Sequence, residues 1–201
     1  MGSKISVSPV FCLVLAGMLL TLPMPWVGAM LTAAAIHEGG HWLALLLCGR
    51  APKALHIGTQ GARIPLPQLS HKQELLCALA GPVAGLFLLA WYPWFPRLAF
   101  CGGMQSLYNL LPIYPLDGGR AVHCLLQMLL PPPAARKVAV WAENLCLAGI
   151  LAAATYAGVV LDMGILPPLM GIFLLFRAKS GKMPCKAPGK QVQYPYSNFE
   201  V

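Results

Sequence analysis

The stretch AAAIHEGGHWLALLLCG, residues 33–49, sets two histidines and a glutamate inside a run that otherwise reads as lipid-facing helix. An ionisable side chain at the centre of a bilayer costs roughly 3 kcal/mol on insertion scales, so three together call for a reason. His37 and His41 are four residues apart, which on a helix places them one turn apart on one face. Two imidazoles so placed can bind one Zn²⁺, and Glu38 beside them can serve as general base for an attacking water. The plainer alternative is that the histidines only hydrogen-bond across helices. A catalytic zinc also needs a third protein ligand and an open position.

Composition supports the membrane setting. Of 201 residues, 58% are hydrophobic and only 10% charged, with a mean hydropathy of +0.67. A soluble domain carries about a quarter charged residues. The chain therefore reads as an integral membrane protein in contact with the lipid bilayer. Its net charge of +8 would suggest nucleic acid in a soluble protein. Here the basic residues fall between apolar runs, where the positive-inside rule accounts for them, and no nucleic-acid partner is expected. The seven cysteines are scattered, with no CxxC pair, which argues against a disulfide framework and a cysteine zinc site.

A spanning helix needs about 20 apolar residues. Apolar runs near 8–28, 29–48, 74–94, 97–130, 137–161 and 163–177 predict an all-α polytopic membrane protein of about six transmembrane helices. The first run is too long for a signal-peptide core and holds Pro23 and Pro25, so it reads as an uncleaved helix. The fourth is longer than one span and is broken by Asn109, Pro112 and Pro115. With both termini cytosolic, every lysine and arginine except Arg97 faces inward, Arg120 leaning that way from within a span. That bias supports the count. Residues 51–73 have no helical period, and KALHIGTQGARIPLPQ predicts a short β-like segment at the cytosolic face. Residues 1–180 form one membrane domain, and the tail 181–201 reads as disordered.

The third ligand has few candidates. Asp117 lies in NLLPIYPLDGGR, residues 109–120, and Asp162 falls in a turn. Prolines before Asp117 and two glycines after it unwind the helix locally, and irregular backbone at membrane depth is tolerated only where it lines protein or a cavity. A carboxylate on such a break suits a metal ligand; alternatively Asp117 caps the helix beginning at Gly118.

HEGGH in the second span, AGPVAG (80–85) in the third and NLLPIYPLDGGR in the fourth resemble the site-2 protease family of intramembrane zinc metalloproteases. The resemblance covers about residues 29–130. The early zinc motif, six spans and absence of a PDZ insertion look like the bacterial branch that processes a membrane-held sporulation sigma-factor precursor. The resemblance implies His37, His41 and Asp117 as ligands of one Zn²⁺ per chain and Glu38 as catalytic acid/base. It also implies that Asn109 positions the substrate backbone, in a bacterial cell membrane, with a membrane-protein substrate and room for an inhibitory membrane partner. Two departures stand out. Gly85 replaces the polar residue that often follows the GP motif, and these 201 residues leave no room for the nucleotide-sensing CBS domain found in many members of that branch, so ATP-linked control is not expected.

An extended substrate could pair with residues 54–58 or 61–66 by edge addition. Glu143 and Asn144 fall near the cytosolic end of the fifth span, where Glu143 could support or gate the site, although snorkelling or a helix contact is the plainer reading. His56 and His71 read as solvated, His123 as pointing away from Asp117, and Gly81 with Gly85 as tight helix packing. The rival classes are a metal transporter using the same residues as a midplane cation site and an inactive membrane adaptor. An aspartyl dyad fails for want of a second membrane aspartate, and Ser106 lacks the setting of a serine nucleophile.

Overall fold

The computed structural model describes residues 4–7, 9–49, 54–58, 61–63, 69–162 and 164–180. The predicted tail 181–201 and residues 64–66 of the predicted edge segment lie outside the described residues. The chain divides into two compact units, Met1–Leu110 and Leu111–Val201.

The first unit begins with strand β1 (Lys4–Val7), followed by α1 (Pro9–Thr21) and α2 (Met24–Leu47). The predicted first span is thus shorter than expected, because Pro23 and Pro25 open the next helix. Proline is accepted in a first helical turn, where its missing N–H has no partner to lose. The hydrophobic run alone gave no sign of that boundary. Strands β2 (Ala54–Gly58) and β3 (Gly61–Arg63) then precede α3 (His71–Phe87) and α4 (Pro96–Asn109).

The three strands form one sheet in the order β1-β2-β3. β1 runs parallel to β2, pairing Lys4 with Ala54 and Val7 with Ile57, and α1 with α2 supply the crossover that a parallel pair requires. β3 runs antiparallel to β2, pairing His56 with Arg63. The β-like segment is therefore present, joined by an N-terminal strand that the sequence reading did not anticipate. β2 has a neighbour on both sides, so residues 54–58 offer no free edge and that expectation is withdrawn.

α3 starts earlier than expected because Ser70 caps it. The Ser70 hydroxyl accepts from the Gln73 N–H at 3.3 Å, and the Ser70 N–H donates to Gln73 Oε1 at 3.1 Å, a reciprocal capping box. α2 packs against both α3 and α4, and α3 packs against α4. The approach of α2 to α3 is close: a Cβ at Gly40 would sit 2.6 Å from the Ala80 carbonyl oxygen. Ala44, Leu45 and Cys77 form a buried cluster in the same seam.

The second unit holds α5 (Asp117–Leu129), α6 (Pro132–Val159) and α7 (Leu166–Ser180). α6 packs against both of its neighbours. The fourth apolar region is broken as predicted, α4 ending at Asn109 and α5 starting at Asp117.

Among the described residues, two helices are long and apolar enough to cross a membrane, His71–Trp91 (with a 3-10 turn at its end) and Pro132–Val159. Only 11% of the apolar window of α6 is buried. Leu13, Leu47, Phe87, Trp141, Leu145 and Phe173 are among many large apolar side chains left exposed. A soluble monomer seldom presents apolar surface on that scale, and hydrocarbon is the solvent that suits it.

Candidate active site

In the first unit the two histidines lie on the unbroken part of α2. His37 is buried and His41 half-buried. Their Nε2 atoms are 3.3 Å apart, with the rings edge to face, centroids 4.9 Å apart and planes at 83°. The other nitrogen of His41, Nδ1, donates its proton to the Cys77 carbonyl of α3 at 2.6 Å. That bond fixes the tautomer, leaving His41 Nε2 with a lone pair directed towards His37. Metal-binding histidines are usually held this way, the second nitrogen donating to a carbonyl or carboxylate.

The α3 surface is cut to fit. A Cβ at Gly81 would overlap the Nε2 edge of the His41 ring, and one at Gly85 would overlap Ser106 Oγ. Gly81 and Gly85 therefore make room for polar side chains from α2 and α4 as well as for close helix packing. Asn109, the last residue of α4, donates its amide N–H to His37 Nε2 at 3.4 Å. The first unit thus gathers His37, His41 and Asn109. Glu38, next along α2, is half-buried.

In the second unit Asp117 is the first residue of α5 and is buried. The residue preceding the helix is Leu116, with no side-chain cap, so Asp117 does not cap a helix starting at Gly118. Its Oδ1 lies 3.6 Å from Arg120 Nη1, one turn on. The chain reaches Asp117 through a bend that includes a cis peptide bond between Tyr114 and Pro115. The Ile113 N–H donates to Leu111 at 2.7 Å and the Leu116 N–H to Ile113 at 2.8 Å, closing the bend on itself. The bend folds back so tightly onto α5 that a Cβ at Gly119 would overlap the Ile113 carbonyl and lie 2.6 Å from the Tyr114 nitrogen.

His123 accepts from the Gln127 amide at 2.9 Å, within its own helix. Sequence reasoning missed the Cys77 carbonyl, a backbone group with no side-chain signature. It also missed that Glu143 of α6 accepts the Tyr114 backbone N–H. A carboxylate inside an apolar helix was the only signal for that contact.

The chemistry available is metal binding and proton transfer. A lone pair fixed on His41 Nε2 and directed at a second imidazole nitrogen fits a divalent cation of borderline softness, such as Zn²⁺.

Among solved structures, the chain is similar to the site-2 protease from Methanocaldococcus jannaschii, with a TM-score of 0.60 and 19% sequence identity over 96% of each chain. No family model matches the sequence, and no curated protein does. The likeness defines the fold: this chain has the architecture of a site-2 protease over almost its whole length.

Proposed function

We propose that the chain is an intramembrane zinc metalloprotease of the site-2 protease family, hydrolysing a peptide bond in or near a transmembrane segment of a membrane-anchored protein. The observation that carries this reading is His41, whose Nδ1–H is committed to the Cys77 carbonyl while Nε2 meets His37 Nε2. A pair of histidines serving only as interhelical glue has no need of that convergence. The fold shared with a site-2 protease supports the same reading.

We assign His37, His41 and Asp117 as the protein ligands of one Zn²⁺ per chain, two imidazoles and a carboxylate being a donor set that suits this metal. Zinc so held lowers the pKa of water towards about 7 and polarises a carbonyl. Glu38 takes the proton of the attacking water and delivers it to the leaving amine as the C–N bond breaks. Asn109 steadies the substrate backbone, its amide moving from His37 to a peptide group. A helical substrate must open before its carbonyl is accessible. Among the described strands β1 and β3 have a free edge, and an extended segment pairing with Gly61–Arg63 would do this. A cysteine at Ala62 that never cross-links to a cysteine-bearing substrate would remove that step.

The charge bias supports a six-span arrangement with both termini cytosolic, and the resemblance favours a bacterial membrane and a sporulation sigma-factor precursor as substrate. An inhibitory membrane partner belongs to the same proposal. The test is zinc content in detergent-purified protein, for wild type, His37→Ala, Asp117→Ala and Glu38→Gln. We expect about one zinc in wild type and Glu38→Gln, and loss in the other two, as three protein ligands and a fourth open position require. Zinc retained by Asp117→Ala would refute the ligand set. Absence of zinc from metal-replete wild type would put the transporter or adaptor reading ahead.

A further inference from the structure

Glu143 is the one carboxylate of α6, and it enters neither the ligand set nor the proton transfers above. The helix begins at Pro132 rather than near 137. Its charged end runs to Arg136 and Lys137, and Glu143 lies about 9 Å beyond Lys137 at 1.5 Å per residue, inside the apolar part of the helix. An acid at that depth requires a partner. Its partner is the backbone N–H of Tyr114, three residues before Asp117.

The backbone of the bend has to be satisfied without water, since unpaired groups at membrane depth are costly. Pro112 and Pro115 have no N–H. Leu110, Ile113 and Leu116 donate to the carbonyls of Ser106, Leu111 and Ile113. The Tyr114 N–H goes to Glu143. Gly119 backs the same peptide from α5, with no room for a Cβ between it and Ile113 or Tyr114. The Tyr114 peptide is therefore held by a glycine surface of α5 and by a carboxylate of α6, and α5 and α6 pack together.

We propose that Glu143 is a positioning residue for Asp117: by accepting the Tyr114 N–H it fixes the bend that presents the Asp117 carboxylate. The proposal rests on the reading of Asp117 as a metal ligand. It predicts a split between two substitutions of similar size. Glu143→Gln keeps an acceptor oxygen for the Tyr114 N–H, whereas Glu143→Leu keeps the bulk and loses the acceptor.

Two measurements on full-length protein in nanodiscs test it. The first is zinc affinity by competition with a chelator. Glu143→Leu should bind roughly 10–100-fold more weakly, the usual effect of removing a partner behind a ligand, and Glu143→Gln should stay within about threefold of wild type. The second is amide hydrogen exchange over residues 110–116 in metal-free protein. Exchange should quicken in Glu143→Leu and not in Glu143→Gln. Wild-type affinity and wild-type exchange in Glu143→Leu would overturn the proposal, as would Glu143→Gln behaving like Glu143→Leu. If Asp117→Ala bound zinc as tightly as wild type, the ligand assignment would fail instead, and the exchange measurement would still decide whether Glu143 pins the bend.

Discussion

The two units present their polar groups by opposite means. In Met1–Leu110 the histidines sit on a continuous helix, where the 3.6-residue repeat already aligns them. The neighbouring helices need only supply a carbonyl at Cys77 and a gap at Gly81. In Leu111–Val201 the aspartate follows a break in the helix, and helical regularity does nothing to aim it. Its direction comes from a folded-back bend whose backbone is tied to Gly119 and Glu143. A site on a regular element inherits its precision, whereas one on irregular backbone has to be built contact by contact.

The largest effect should come from a residue on the regular side that holds nothing in place. Glu38→Gln removes the proton acceptor we propose while leaving the histidines alone. Cleavage of a membrane-embedded model substrate should fall by roughly 10²–10⁴-fold, the usual reach of general acid–base catalysis, with zinc retained. Cleavage at the wild-type rate would remove Glu38 from the mechanism.

Next in size is a change behind the histidines. The methyl group of Gly81→Ala would overlap the Nε2 edge of the His41 ring, and the ring cannot yield without releasing Cys77. Zinc affinity should drop by about 10–100-fold. Gly39→Ala, in the same motif with nothing within 4 Å of its added carbon, should bind zinc normally and gain roughly 0.5–1 kcal/mol of helix stability. Equal zinc affinity in the two variants would mean that the gap at Gly81 has no part in holding His41.

On the irregular side, Gly119→Ala drives a methyl group into the Ile113 carbonyl. Overpacking of this kind costs about 1–3 kcal/mol. The strain should appear as faster amide exchange across 110–116, while residues 37–41 exchange as in wild type. If both segments quickened equally, the division into a self-aligned part and an imposed part would be wrong.

How much of this was legible in the sequence follows the same division. HEGGH on a helix declares its own geometry, because spacing and period are both local, and the histidines meet as that spacing requires. The break before Asp117 was equally plain from Pro112, Pro115 and two glycines, and the strands at 54–58 and 61–63 from their β-branched and glycine pattern. What was not legible depends on partners distant in sequence. β1 pairs with β2 across some fifty residues, and the Tyr114 N–H finds its acceptor on the next helix but one from α4. Two local signals were present and unread: Pro23 and Pro25 mark the start of α2, and Ser70 with Gln73 forms a capping box. The pair Gly81 and Gly85 was visible as a packing motif, yet nothing in GPVAG says that an imidazole fills one gap and a hydroxyl the other.

That hydroxyl gives the smallest effect and the sharpest control. Ser106 is fully buried, and its Oγ has no hydrogen-bond partner among the described residues. It points at Gly85, one turn of α4 before Asn109. A buried hydroxyl left unsatisfied costs about 1–3 kcal/mol, so deleting it should relieve part of that cost. Ser106→Ala should unfold at slightly higher denaturant, by about 1 kcal/mol, with zinc affinity unchanged, because the histidines take nothing from it. A loss of stability on that substitution would mean that the hydroxyl is satisfied in the folded protein by a group outside the described residues. A loss of zinc would extend the self-aligned site from α2 through the whole seam of α3 and α4.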